Sequence, residues 1–324
     1  MANLKIHKKK SAKKSAYKEK LIKLITHSDT FHADEIIATA FLLIKYKNVE
    51  IIRTRDMKII ETGDIVYDVG FICDPSKNRF DHHMQWFNET YNEKYKIKLS
   101  SAGLIFKYKG KEILNEKYKL NELSNELQSF IMDKIYKDIF LPADSIDNGY
   151  ETETSLRTRS IQDVVANFNS CNTINSKTQY KQFMKALEWV KVDLYNYLDY
   201  TFNTYIKGYD EIRKNINECD EDIYIARNEY NRELIHAIIY ELKKESIKFI
   251  IYNRSNSYRI YGVIREGCTF ALRCPLKEEW RGLRGEELRD VSKMTDIVFV
   301  HATGFTGESE TLEGALEMCK QSIQ

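Results

Sequence analysis

Between residues 21 and 70 the chain alternates short apolar runs with a helical pattern, and this restricts the possible folds most. Leu21-Ile22-Lys23-Leu24-Ile25 reads as a buried strand, being short, apolar and bounded by polar residues. Beyond residues 26–35, Ile36, Ile37, Ala40, Phe41 and Ile44 share one face of a helix. Val49-Glu50-Ile51-Ile52-Arg53 is the next strand, and residues 64–70 hold a third. Strands alternating with helices predict an α/β fold built on a doubly wound, mainly parallel sheet. Such sheets place ligands at the carboxyl ends of their strands.

Further along, residues 100–108 predict a helix capped by serines, whose small residues allow close packing or approach to an anion. A second helix is expected over 120–137, leading to acidic residues and a turn signal at 141–149. Residues 150–180 are polar, with a short helix near 161–165. Phe183, Leu187, Val190, Leu194, Tyr197 and Leu198 recur at helical spacing. They predict a long helix running toward Ile216 that joins two domains. The second half reads as a smaller α+β domain. It has a strand at 222–226, a helix at 232–244, paired strands at 248–252 and 259–264, and strands at 269–273 and 297–300. A helix at 311–319 closes the chain. The expected organisation is a basic tail over 1–20, a first domain over 21–180, a connecting helix over 181–220 and a second domain over 221–324.

The net charge of +2 is unevenly spread. Residues 1–20 hold eight lysines against one glutamate, or +7, so the remainder carries 2 − 7 = −5. The lysine run reads as a solvated tail, a nuclear address or a loose polyanion contact. No apolar run reaches the ~18 residues of a membrane span. Six cysteines without a C-x-x-C pair read as free thiols in a reducing, intracellular compartment.

Of seven histidines, His27, His32, His82 and His83 fall in two short stretches, and His301 sits in a third. A lone histidine at a strand end is more often a satisfied polar residue than a ligand. Here each has acidic company. His27, His32 and Asp34 follow the first strand, Asp68 lies near the end of the third, His82 follows a later segment, and Asp147 falls near a turn. Six N/O ligands exceed what one tetrahedral ion needs and suit two divalent ions sharing a carboxylate. Imidazole ligands favour manganese, with cobalt, zinc or magnesium as alternatives. Asp29 and Asp144 are nearby carboxylates that read equally well as ligands and as cap or turn residues. In the second half, Trp280-Arg281-Gly282 and the turn from His301 to Gly307 combine glycines with groups that can meet phosphate: Arg281, His301 and the backbone at Gly304. Arg273 adds a third positive group. There is no P-loop, no G-x-S-x-G and no G-x-G-x-x-G.

The stretches THSDTFHADE (26–35), RTRD (53–56), DIVYDVG (64–70), FDHH (80–83), LSSAGLIFK (99–107), SIDNG (145–149), WRGLRGEEL (280–288) and FVHATGFTGESETLEGAL (299–316) resemble the melanocyte proliferating gene one family. That family is related to the DHH phosphoesterases. The resemblance implies a DHH-like domain, a smaller DHHA-like domain and a substrate cleft between them. It implies 3′–5′ exonuclease action on RNA, in nucleus and mitochondrion; a short oligonucleotide substrate and a cytoplasmic place are further expectations. By position, His27, His32 and Asp68 would hold one ion, and Asp34, Asp68, His82 and Asp147 the other. Asp68 would bridge and act in catalysis, and His83 would face the scissile phosphate. Arg281 and His301 would bind substrate. The wider DHH pattern has an aspartate where this chain has His32, so the site is softer and carries one negative charge fewer. Two other readings remain: hydrolysis of a small phosphorylated metabolite or dinucleotide, and a non-catalytic, metal-stabilised binding protein. Oligomeric state is not legible.

Overall fold

A computed structural model describes residues 20–150, 158–169, 176–228 and 230–323. The lysine tail before Lys20, and Cys171, lie outside the described residues. The chain divides into two compact units, Met1–Tyr195 and Asn196–Gln324.

The first unit opens with β1 (Ile22–Thr26), α1 (Ala33–Lys45), β2 (Val49–Arg53), α2 (Met57–Ile60) and β3 (Ile65–Tyr67). Two short strands, β4 (Cys73–Asp74) and β5 (Arg79–Phe80), precede α3 (Ser101–Tyr118), α4 (Asn125–Ile135), α5 (Leu141–Asp147), α6 (Ile161–Ala166) and α7 (Ser176–Tyr200). The sheet order is β2-β1-β3-β5-β4. β1 runs parallel to β2 and β3, and β3 runs parallel to β5, whereas β4 is antiparallel to β5. The mainly parallel α/β sheet expected from the alternation is present. The chain moves from β1 outward to β2, then returns past β1 to β3. Its winding therefore reverses at β1, and a crevice opens at the carboxyl ends of β1 and β3.

Strands as apolar as these need cover on both faces. Ile60 of α2 packs with Ile25, Val66 and Val69. On the other face, Thr39 Oγ1 of α1 and the Tyr67 hydroxyl lie 2.6 Å apart in a hydrogen bond. Behind α1, Phe41 meets Phe106 of α3, which stacks on Phe140 with ring centroids 4.3 Å apart.

The helix expected over 120–137 is broken. Lys119 ends α3 in the left-handed region, and α4 starts only after Ser124, whose Oγ accepts from the Leu127 N–H. A π-helical turn, Tyr136–Phe140, then carries the run into α5. Asp147 is therefore the last residue of a helix and not part of a loop. The long helix also stops short: α7 ends at Tyr200, and another π-helical turn and Gly208 (φ 81°) separate it from α8 (Tyr209–Asn217).

The second unit continues with β6 (Ile223–Ala226), α9 (Arg232–Glu241), β7 (Phe249–Arg254), β8 (Ser257–Gly262), α10 (Gly285–Ser292), β9 (Ile297–Val300), β10 (Thr306–Ser309) and α11 (Leu312–Ile323). Its sheet order is β6-β7-β8-β10-β9, parallel between β6 and β7 and antiparallel elsewhere. Phe249, Ile251, Ile260, Trp280, Leu288 and Met318 share its core. The strand expected at 269–273 is absent; Leu272 makes only an isolated bridge to Ile264. In its place β10 joins the sheet. Among the described residues no helix is long and apolar enough to cross a membrane, and five cysteines are free thiols.

Candidate metal centre

Three neighbouring parallel strands end beside one another, and each delivers a charged residue to the crevice. His27 leaves β1 almost fully buried. Its Nδ1 lies 2.7 Å from the Ser28 carbonyl oxygen, an acceptor, and 3.2 Å from Arg55 Nη2, a donor. Nε2 is thereby turned inward, 3.0 Å from Glu35 Oε1 and 3.1 Å from Asp68 Oδ2. Burial opposes the ring's charge, but Asp68 and Glu35 outweigh it and push the pKa up to about 11.

The start of α1 supplies the next group. Both Glu35 oxygens accept from the His32 N–H, at 3.0 and 2.9 Å, which closes the first turn and draws Glu35 inside. Asp34 is 2% exposed and Glu35 is fully buried. Ser101 Oγ, at the start of α3, donates to Asp34 Oδ2 at 2.7 Å, while Asp34 Oδ1 is buried with no hydrogen-bond partner. Burial pushes the Glu35 carboxyl up to about 8, against the pull of His27. His32 itself is exposed, its ring centroid 5.8 Å from that of His27.

Asp68 follows β3 at φ 58°, in the left-handed region. Burial works against its charge, yet His27 and His82 hold its carboxyl well below the usual carboxylate range. His82 Nε2 lies 3.2 Å from Asp68 Oδ1 and 3.5 Å from Asp147 Oδ2. Burial and the nearby Asp34 push Asp147 up to about 7.

Asp81 is a clamp and not a member of the cluster. Its Oδ1 accepts from the His82 N–H at 2.7 Å and from His83 Nδ1 at 2.7 Å, and its Oδ2 accepts from the Phe71 N–H at 2.6 Å. This fixes the half-exposed His83 ring with Nε2 left for a ligand.

Each of the six residues expected as ligands falls in one of four overlapping groups, although His27 and His32 are grouped with Glu35 and not with Asp68. Within groups whose ligand atoms all lie within 4.8 Å of one another stand His27, His32 and Glu35; Asp68, His82 and His83; Asp34, His82 and Asp147; and Asp34, Glu35 and Asp68. Four carboxylates so close repel unless protons or a cation neutralise them. The unpartnered Asp34 oxygen is the kind of buried acceptor that calls for a ligand. The mixed N/O donor set fits a divalent ion. Beside it is a cavity of about 160 Å³ lined by His27, His32, Arg55, Asp68, Phe71 and His83 among others. A second cavity, of about 240 Å³, shares His32 and Asp147.

Two residues of the site, Glu35 and Arg55, are not among those the sequence singles out. Arg55 lines the cavity, its Nη2 3.2 Å from His27 Nδ1. Asp144, fully buried, accepts from the Ser100 N–H (2.9 Å), Ser100 Oγ (2.6 Å) and the Tyr136 hydroxyl (2.9 Å). The anion that the small residues of α3 admit is thus the protein's own. Asp29 is a turn residue at φ 73° facing Arg55, outside the cluster.

In the second unit, Arg281 Nε donates to the Leu276 carbonyl at 2.8 Å, and Gly304 packs against that guanidinium. Gly304 has φ 71°, and a Cβ there would lie 2.8 Å from Arg281 Nε, so glycine is required on both counts. His301 Nδ1 accepts from the Thr303 N–H at 3.2 Å, leaving Nε2 exposed. Arg273 is held by the backbone on one side of its guanidinium. Its Nη1 donates to the Lys244 and Ile247 carbonyls, closing the chain beyond α9.

The histidine–carboxylate cluster at the parallel strand ends of this α/β chain has the donor set of a divalent-cation site. Residues 23–323 match the family model described as MYG1_exonuc, uncharacterised protein family UPF0160, and the chain belongs to that family. It is 35% identical over 318 residues to the MYG1 protein of Dictyostelium discoideum, covering 93% of this chain and 96% of that one. It is 32% identical over 324 residues to the MYG1 exonuclease of Homo sapiens, covering 92% of this chain and 85% of that one. The structure of RecJ from Thermus thermophilus with Mn2+ aligns with 94% of this chain and 51% of that one, at 12% identity. Its TM-score of 0.24 is too low to carry an argument.

Proposed function

We propose that the chain is a metal-dependent exonuclease that hydrolyses RNA from an end, with manganese as its ion. The observation that supports this reading is the set of overlapping histidine–carboxylate groups, with Asp34 shared between the one that holds His82 and Asp147 and the one that holds Asp68, and with one Asp34 oxygen buried and unpartnered. Its mammalian relatives bear the name MYG1 exonuclease. His27, His32 and Asp68 would hold one ion, and Asp34, Asp68, His82 and Asp147 the other, with Glu35 beside the first. Two such ions, when bound, lower the pKa of water and stabilise charge on a phosphate.

The remaining work falls to the chain. Asp81 holds His83 so that Nε2 donates to a phosphate oxygen, and Arg55 adds positive charge at the rim. The Arg281–Gly304–His301 turn is the corresponding phosphate contact assigned to the second unit. The cavity of about 160 Å³ beside the cluster has room for a phosphate. A dinucleotide presents a phosphate too, so rates should be compared across chain lengths.

His82→Ala is expected to lower manganese-dependent RNA cleavage by about 10²–10³-fold. Single-stranded RNA labelled at the 5′ or the 3′ end reads both rate and polarity; full activity in the variant would remove His82 from the site. Glu35→Gln keeps an acceptor for the His32 N–H but loses the charge. Calorimetry should show manganese affinity falling about 10–100-fold with little loss of thermal stability.

A further inference from the structure

Phe71 breaks two rules at once. It stands at φ 57°, a conformation that is an outlier for a bulky residue, and its side chain is 69% exposed. Nothing in packing explains a large ring there. The backbone is pinned instead: the Phe71 N–H donates to Asp81 Oδ2 at 2.6 Å, and the same carboxylate holds His83. The ring lines the cavity beside the histidine–carboxylate cluster, together with Arg55 and His83. Strain kept at such a place points to use.

The cavity's size says what for. At about 160 Å³ it is well below the roughly 300–1,000 Å³ that encloses a whole small ligand. It has room for a phosphate, and the exposed Phe71 ring on its lining is placed to meet a group attached to that phosphate. An exposed ring beside a phosphate site is the sequence-tolerant way to hold a base, since every base has a π-face. We propose that Phe71 is the stacking platform for the base of the terminal nucleotide whose phosphate enters the cavity. This rests on the exonuclease reading above and adds to it a base-binding subsite.

The test is calorimetry on the full chain with manganese, using AMP and ribose 5-phosphate as probes. The parent should bind AMP about tenfold more tightly than ribose 5-phosphate. Phe71→Gly should abolish that preference and leave ribose 5-phosphate binding within about twofold, while Phe71→Trp restores the preference. Glycine adopts φ 57° freely, so the melting temperature of Phe71→Gly should not fall; a ring used only for packing would make it fall. Equal binding of the two probes by the parent, or an undiminished preference in Phe71→Gly, overturns the platform. A Phe71-dependent AMP preference in a chain that cleaves no oligonucleotide supports the platform and overturns the exonuclease reading alone.

Discussion

Replacing Asp68 by asparagine is expected to lower manganese-dependent RNA cleavage by at least about 10³-fold while the fold survives. The reason is position. Asp68 sits at the end of the central β3, where one oxygen faces His27 at 3.1 Å and the other faces His82 at 3.2 Å. It is the residue that both halves of the cluster share. Asparagine is the right replacement because, like aspartate, it tolerates the left-handed φ of 58° found here. It keeps the shape and removes the charge. Circular dichroism should be unchanged, and manganese uptake should drop with the activity. Cleavage within tenfold of the parent would mean that Asp68 bridges nothing.

The second large effect lies one shell away, at Gly103. An alanine Cβ there would stand 2.4 Å from both carboxylate oxygens of Asp144. Asp144 cannot retreat, because Ser100 and the Tyr136 hydroxyl hold it from three directions. Gly103→Ala is therefore expected to destabilise the chain by about 3 kcal/mol, at the upper end of overpacking. Asp144→Ala should cost a similar amount by the opposite route, leaving the Ser100 N–H and the Tyr136 hydroxyl buried and unpaired at about 1–3 kcal/mol each. Both changes loosen α5 from the start of α3. Asp147 lies three residues beyond Asp144 on the same helical face, so activity should fall as well. Urea unfolding measures the first effect, and RNA cleavage below the melting transition measures the second. A Gly103→Ala variant within about 0.5 kcal/mol of the parent would show that the two helices have room to part.

Much of this site was legible because parallel strands announce their ends. His27 and Asp68 each close an apolar run, and a doubly wound sheet has few other places to put them. His32 and Asp34 were readable from the helical pattern that begins beside them. What stayed hidden serves two purposes or depends on contacts far along the chain. Glu35 caps α1 by the same carboxylate that enters the cluster. Asp144 reads as a turn residue until α3 and α5 are seen against each other, 44 residues apart in sequence at Ser100. Phe71 is an unremarkable apolar residue in sequence, since only its φ and its exposure set it apart. β4 and β5 are two residues each, too short for any period, and β10 carries Thr306 and Gly307 where an alternating apolar pattern would mark a strand.

The most direct measurement is mononucleotide release from single-stranded RNA by the full chain as manganese is added, removed by chelation and restored. The proposed two-ion exonuclease predicts stepwise shortening from one end, stopped by the chelator, recovered with manganese and absent from Asp68→Asn. Manganese bound tightly to a chain that leaves every phosphodiester intact would contradict it, and would make this cluster the core of a binding protein.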